Sequence, residues 1–224
     1  MSEGYSTDEE QIEAVKHWFA ENGTWLLGAA LLFGYRYFES HRYTRELAAA
    51  AQFDQMTAAL DRHDAGGARR VAERITEKYS GTAYADQAEL TLARLFVNDG
   101  RLADAVAPLT RVMNESGDAE LRKIARLRLA RLLIADGKPG EALKTLAAAP
   151  DPGTFAALFD EVQGDALYAE KDRAGAVAAY RRALAAVGPQ GGDGALLSLK
   201  IADLGAAPDA NGAAPAAAAQ AVAP

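Results

Sequence analysis

The sequence predicts an all-α chain, a solenoid of stacked helical hairpins preceded by a single N-terminal transmembrane helix. Three observations predict it. Half of the 224 residues are hydrophobic and many of those are alanine, which suits closely packed helices better than a sheet of β-branched residues. Helical patterning runs from about Glu46 to Leu204 and is broken at regular intervals by glycine-bearing turns. Near the charged start, the stretch from Thr24 to Tyr35 is uninterruptedly apolar in character.

The first element, STDEEQIEAVKHWFAENG, reads as a short amphipathic helix. Ser6 or Thr7 can cap it with Glu9 or Glu10 completing a capping box, and Ile12, Val15 and Phe19 share one face. Asn22-Gly23 is the expected stop, since glycine takes the left-handed conformation without strain, and Thr24 then caps the next segment. Residues 1–23 are thus expected to form a separate N-terminal segment and residues 24–38 an anchor. Residues 45–204 are expected to form the repeat domain, and the Ala/Pro tail 205–224 has nothing large to bury and is expected to be disordered.

The breaks, at Gly66-Gly67, Ser80-Gly81, Asn98 to Gly100, Asp136-Gly137, Pro150 to Gly153 and Gly188 to Gly194, point to an internal repeat. ELTLARLFVNDGRLADAVAPLTRVM from Glu89 aligns with RLRLARLLIADGKPGEALKTLAAA from Arg126 and with EVQGDALYAEKDRAGAVAAYRRAL from Glu161. The anchors Ala93, Ala130 and Gly164 lie 37 and 34 residues apart, the period of a tetratricopeptide helical hairpin. Small residues (those three, with Ala105, Ala142 and Ala176) mark where paired helices approach most closely. Phe96, Leu133, Leu167, Leu109, Leu146 and Tyr180 fill the space beside them, and Lys171 stands where the other turns have glycine. The segment from Ala48 has the length of a hairpin but matches the anchors poorly, as a terminal repeat does, and LLSLKIADL from Leu196 reads as a closing helix.

Charge and composition exclude several function classes. A net charge of −7 with no basic stripe argues against a nucleic-acid partner. The absence of cysteine removes disulfides, thiolate metal sites and a cysteine nucleophile. His17, His41 and His63 are isolated in sequence, and the glycine-rich stretches have neither a preceding strand nor a following GK[ST]. No catalytic constellation, cofactor site or small-molecule substrate is expected.

Binding remains. In a stack of such hairpins the inner helices line a groove, and the repeat offsets select Leu90, Arg94, Val97 and Asn98, then Leu127, Arg131 and Ile134, then Asp165 and Tyr168. Apolar positions mixed with arginine suit an extended peptide or a partner helix; solvation of a helix face explains Arg94 and Arg131 as well.

For the anchor, Trp25, Leu26, Leu27, Leu31, Leu32, Phe33 and Tyr35 supply the apolar surface, with Trp18 and Tyr37 at the edges as membrane interfaces favour. The run alone is shorter than the ~20 residues of an ordinary span. Extended from Trp18 to Phe38 it reaches about 30 Å, with Glu21 entering the bilayer edge. The charge bias, Lys16 before and Arg36, Arg42 and Arg45 after, favours repeats in the cytoplasm.

EAVKHWFAENG, the apolar run, RYFESHR, the repeats and the closing SLKIADL together resemble the ancillary subunit of the bacterial Sec translocon, the YfgM-like family. The resemblance implies a non-enzymatic, single-pass inner-membrane adaptor with its repeats in the periplasm. It implies association with the Sec translocon (SecYEG) and a PpiD-type periplasmic chaperone, helping to pass translocated polypeptides onward. The alternative is a soluble or peripheral cytoplasmic scaffold in which Thr24 to Tyr35 pack against the repeats.

Overall fold

The computed structural model describes residues 8–149, 151–187 and 194–206. The expected caps Ser6 and Thr7, the connector at 188–193 and most of the Ala/Pro tail, 207–224, lie outside the described residues, as does the side chain of Val15. The described residues are all helix and turn: α1 (Asp8–Asp61), α2 (Ala65–Lys78), α3 (Ala83–Asn98), α4 (Leu102–Glu115), α5 (Ala119–Ala135), α6 (Pro139–Ala147), α7 (Ala156–Ala169), α8 (Arg173–Val187) and α9 (Gly194–Asp203). A single 3-10 turn, Gly153–Phe155, leads into α7.

Each helix packs on the next, so α1 to α8 form four successive hairpins and α9 closes against α8. The four hairpin turns are built alike. Arg101 N–H donates to the Phe96 carbonyl and Lys138 N–H to Leu133, while Asp172 N–H donates to Leu167 and Asp64 N–H to Ala59. Each is the long-range bond of a Schellman helix stop, which places the preceding residue in the left-handed region. That residue is Gly100 or Gly137 in the middle hairpins but His63 and Lys171 in the outer two, all with φ between 58° and 74°.

The turns bring the first hairpin into register with the others, which its sequence anchors did not suggest. Ala68 occupies the place of Ala105, Ala142 and Ala176, and all four are fully buried. One helix-face position differs by compensation. The pairs Ala93/Leu109, Ala130/Leu146 and Gly164/Tyr180 set a small residue opposite a larger one, while the first hairpin reverses them as Met56/Ala72. Conserving total volume at a crossing preserves the interior density that close packing demands. The expected break at Gly66-Gly67 instead falls at 62–64. Both glycines lie in the first turn of α2, where Asp64 caps the helix by accepting from Gly67 N–H at 2.7 Å.

The N-terminal division also differs from expectation. The chain does not stop at Asn22-Gly23: α1 continues through it as one helix. Gly23 has no positive φ, and Asn22 Nδ2 donates to the Trp18 carbonyl one turn back, at 3.0 Å, so neither residue adopts the geometry of a stop. Only the C-terminal part of α1, from about Ala49, is buried against α2 and α3. The earlier part projects beyond the repeats. Trp25, Leu27, Leu31, Leu32, Phe33 and Tyr35 are each more than 60% exposed and Leu26 is half-buried, so the apolar run does not pack against the repeats as the scaffold alternative requires. Among the described residues no helix is long and apolar enough to cross a membrane by the usual measure of mean hydropathy.

Candidate functional site

Within the solenoid, α1 packs on α3 and α5 on α7, but no comparable backbone approach joins α3 to α5. The gap between them is an open groove of about 650 Å³. One wall is the α3 stripe Gln87, Leu90, Thr91, Arg94 and Val97, whose spacing of three and four residues keeps them on one face. The facing wall is Arg128, Arg131, Leu132 and Ala135 of α5, and Phe53 of α1 closes one side. Ala93 and Leu109, both nearly fully buried, form part of the floor.

The rim is basic. Arg94, Arg128 and Arg131 all line the groove, and no lining residue is acidic. Among the described residues Arg94 and Arg128 make no ion pair, while Arg131 Nη2 lies 3.8 Å from Glu161 Oε2 of α7. All three guanidinium-bearing side chains are exposed.

Four of the nine residues selected by repeat offset, Leu90, Arg94, Val97 and Arg131, line this groove. Leu127 is instead a core residue, 4% exposed, and Ile134 is half-buried against the same core. A repeat offset marks the same side of successive helices, but a groove between two helices uses the sides that face each other. Translation by one repeat therefore turned toward the core on α5. Asn98 is exposed at the end of α3 and Tyr168 is exposed on α7, neither on the groove. The offset did not select Arg128, Thr91, Gln87 and Phe53; the i, i+3, i+7 run Arg128-Arg131-Ala135 was the available signal.

Asp165 belongs to a different structure, the clasp that holds α9. Its Oδ1 accepts from Tyr180 Oη and from Lys200 Nζ, both at 2.8 Å. Lys200 Nζ also donates to Glu161 Oε1 at 2.8 Å and lies 5.3 Å from the Tyr180 ring centroid. Burial pushes the Tyr180 hydroxyl well up, and its hydrogen bond to Asp165 adds to the effect, so the phenol stays protonated. Burial alone lowers the Lys200 ammonium, but Asp165 and Glu161 outweigh it and the net shift is upward.

A second ionic contact lies between α3 and α4, where Arg111 Nη1 donates to the buried Glu89. Burial raises the Glu89 carboxyl and Arg111 only partly opposes it; Glu89 Oε2 has no hydrogen-bond partner. The histidines do not converge. His17 lies beside Glu21 and His41 stacks on Tyr37, while His63 sits in a turn. Among the described residues no group of three or more potential metal ligands occurs.

The geometry is that of a solenoid of stacked helical hairpins, and comparison with known proteins agrees. The family described as "Tetratricopeptide repeat-like domain" matches residues 16–206. The ancillary SecYEG translocon subunit of Escherichia coli (strain K12) is 32% identical over 181 residues, covering 79% of this chain and 86% of that protein. The ancillary SecYEG translocon subunit of Haemophilus influenzae (strain ATCC 51907 / DSM 11121 / KW20 / Rd) is 30% identical over 148 residues, covering 63% and 72% respectively. Among solved structures, "MamA RS-1 ArsTM double mutant" shares the fold with a TM-score of 0.52 at 16% identity, over 70% of this chain and 94% of that one. The chain therefore belongs to the tetratricopeptide repeat-like family that includes the ancillary SecYEG translocon subunits of E. coli and H. influenzae.

Proposed function

We propose that this chain is a non-enzymatic adaptor associated with the Sec translocon, anchored in the bacterial inner membrane by α1, with its repeats facing the periplasm. The observation that carries this reading is the likeness to an ancillary SecYEG translocon subunit across 86% of that protein's length. In this account the groove between α3 and α5 holds a protein partner. The partners are the translocon and a PpiD-type periplasmic chaperone, to which the adaptor helps pass translocated polypeptides.

The projecting part of α1 supports the membrane assignment. Its large apolar side chains are exposed and do not pack on the repeats, and no charged residue intervenes between Glu21 and Arg36. Exposed apolar surface of this extent marks a membrane or protein contact. Residues 18–38 span about 30 Å as helix, and local bilayer thinning or a neighbouring membrane helix takes up the shortfall in apolar length. The residues before this span would lie on the cytoplasmic side. Because α1 is continuous, the anchor and the first hairpin would form one rigid stalk.

Alkaline phosphatase fused after Leu204 tests the topology. Active enzyme is expected, and an inactive but stable fusion contradicts the periplasmic placement. Carbonate washing tests the attachment: retention in the membrane pellet is expected, and release would favour a peripheral scaffold.

A further inference from the structure

We infer that the occupant of the α3–α5 groove is a short amphipathic helix whose apolar stripe is flanked by carboxylates. This rests on the reading of the groove as the partner site and adds the partner's chemistry. The protein carries 31 acidic and 24 basic residues, yet the groove lining holds three arginines and no acid. Charge of the sign opposite to the rest of the molecule, concentrated at one concave site, selects an anionic partner.

The shape selects a helix. From Gln87 to Val97 the α3 wall runs roughly 15 Å, about three helical turns. Leu90 and Leu132, above the Ala93 and Leu109 floor, give an apolar seat for side chains spaced by three and four residues. Arg94 and Arg128 stand on opposite walls with no ion pair of their own, so a partner's carboxylates need displace nothing to reach them. Arg131 is the exception, because Glu161 already sits 3.8 Å away. Glu161 therefore competes with the partner for Arg131.

Fluorescence anisotropy with the full chain in detergent micelles tests this. The probes are three fluorescein-labelled peptides with leucines at helical spacing and glutamate, glutamine or lysine at the flanking positions. The glutamate peptide is expected to bind about tenfold more tightly than the glutamine peptide, the sum of three exposed pairs, with the advantage shrinking as salt rises. Arg94→Gln with Arg128→Gln, both exposed and checked for folding by circular dichroism, is expected to remove most of that preference. Glu161→Gln is expected to strengthen binding of the glutamate peptide about twofold. Equal affinity for the glutamate and glutamine peptides, tightest binding by the lysine peptide, or an unchanged preference in the double variant overturns the charge reading and leaves the groove as a protein site. Failure of all three peptides to bind overturns both.

Discussion

Gly164 lies against the Tyr180 ring, so close that a Cβ on this residue would overlap Cδ1 and Cε1. Hydrogen therefore occupies the place of the methyl group at Ala93 and Ala130, and a phenol the place of Leu109 and Leu146. Gly164→Ala is expected to destabilise the domain by about 1–2 kcal/mol, because the overlap outweighs alanine's better helix propensity. Combining it with Tyr180→Leu recreates the pairing of the preceding hairpins. Thermal melts of the four variants should show a double variant less destabilised than the sum of the singles; strict additivity would mean that the two positions do not share a crossing.

Lys171 and Gly137 hold the same left-handed turn conformation, with φ of 67° and 74°. The lysine bears a steric cost that glycine does not. Lys171→Gly is expected to raise stability by about 0.5–1 kcal/mol and Gly137→Ala to lower it by about 1 kcal/mol or more, both read from urea midpoints. A loss of stability in Lys171→Gly would contradict the shared turn geometry.

The fully buried alanines mark where the helices cross with no room for a longer side chain. Ala105→Glu and Ala142→Glu each place a carboxylate in such a crossing, and Ala68→Glu should now behave alike. Each is expected to cost several kcal/mol and to abolish the cooperative melt, because the charge is buried without a partner. An unchanged melting temperature in all three would refute the repeat register.

The Lys200 clasp has a defined pH signature. Its folded pKa is raised, so its contribution to stability is complete below the unfolded lysine value of about 10.4 and is lost as pH rises through the folded value. Glu89 follows the same sign in a lower pH window. Its raised carboxyl means that the folded state binds the proton more tightly, so stability falls as pH rises above the ordinary glutamate value of about 4.3. Urea unfolding across pH should show Lys200→Met removing the alkaline loss and Glu89→Gln flattening the slope on the acid side. Unaltered profiles in both would contradict these assignments.

Sequence reading recovered the hairpins because their small anchors and turn residues repeat in phase. It missed the first hairpin's phase because Met56 and Ala72 exchange the sizes found elsewhere, which hides the match from residue-by-residue alignment. It placed a stop at Asn22-Gly23 on local turn chemistry alone, where nothing in the surrounding helical run forces the glycine into the left-handed region. Of the groove lining it selected Leu90, Arg94, Val97 and Arg131. The α3 wall follows directly from helical periodicity, but the α5 wall depends on which side of α5 faces α3, and that is set by packing on α4, α6 and α7. Asp165 looked like a groove residue by offset because only the folded chain brings Lys200 to it.

The central claim is that the α3–α5 groove is where a protein partner sits. A photo-activatable residue at position 94 or 131, compared in living cells with one at exposed Glu73 on α2, measures it most directly. Discrete adducts with components of the Sec translocon or a periplasmic chaperone are expected from 94 and 131, and none from 73. The same adducts from all three positions, or none from the groove, would contradict it.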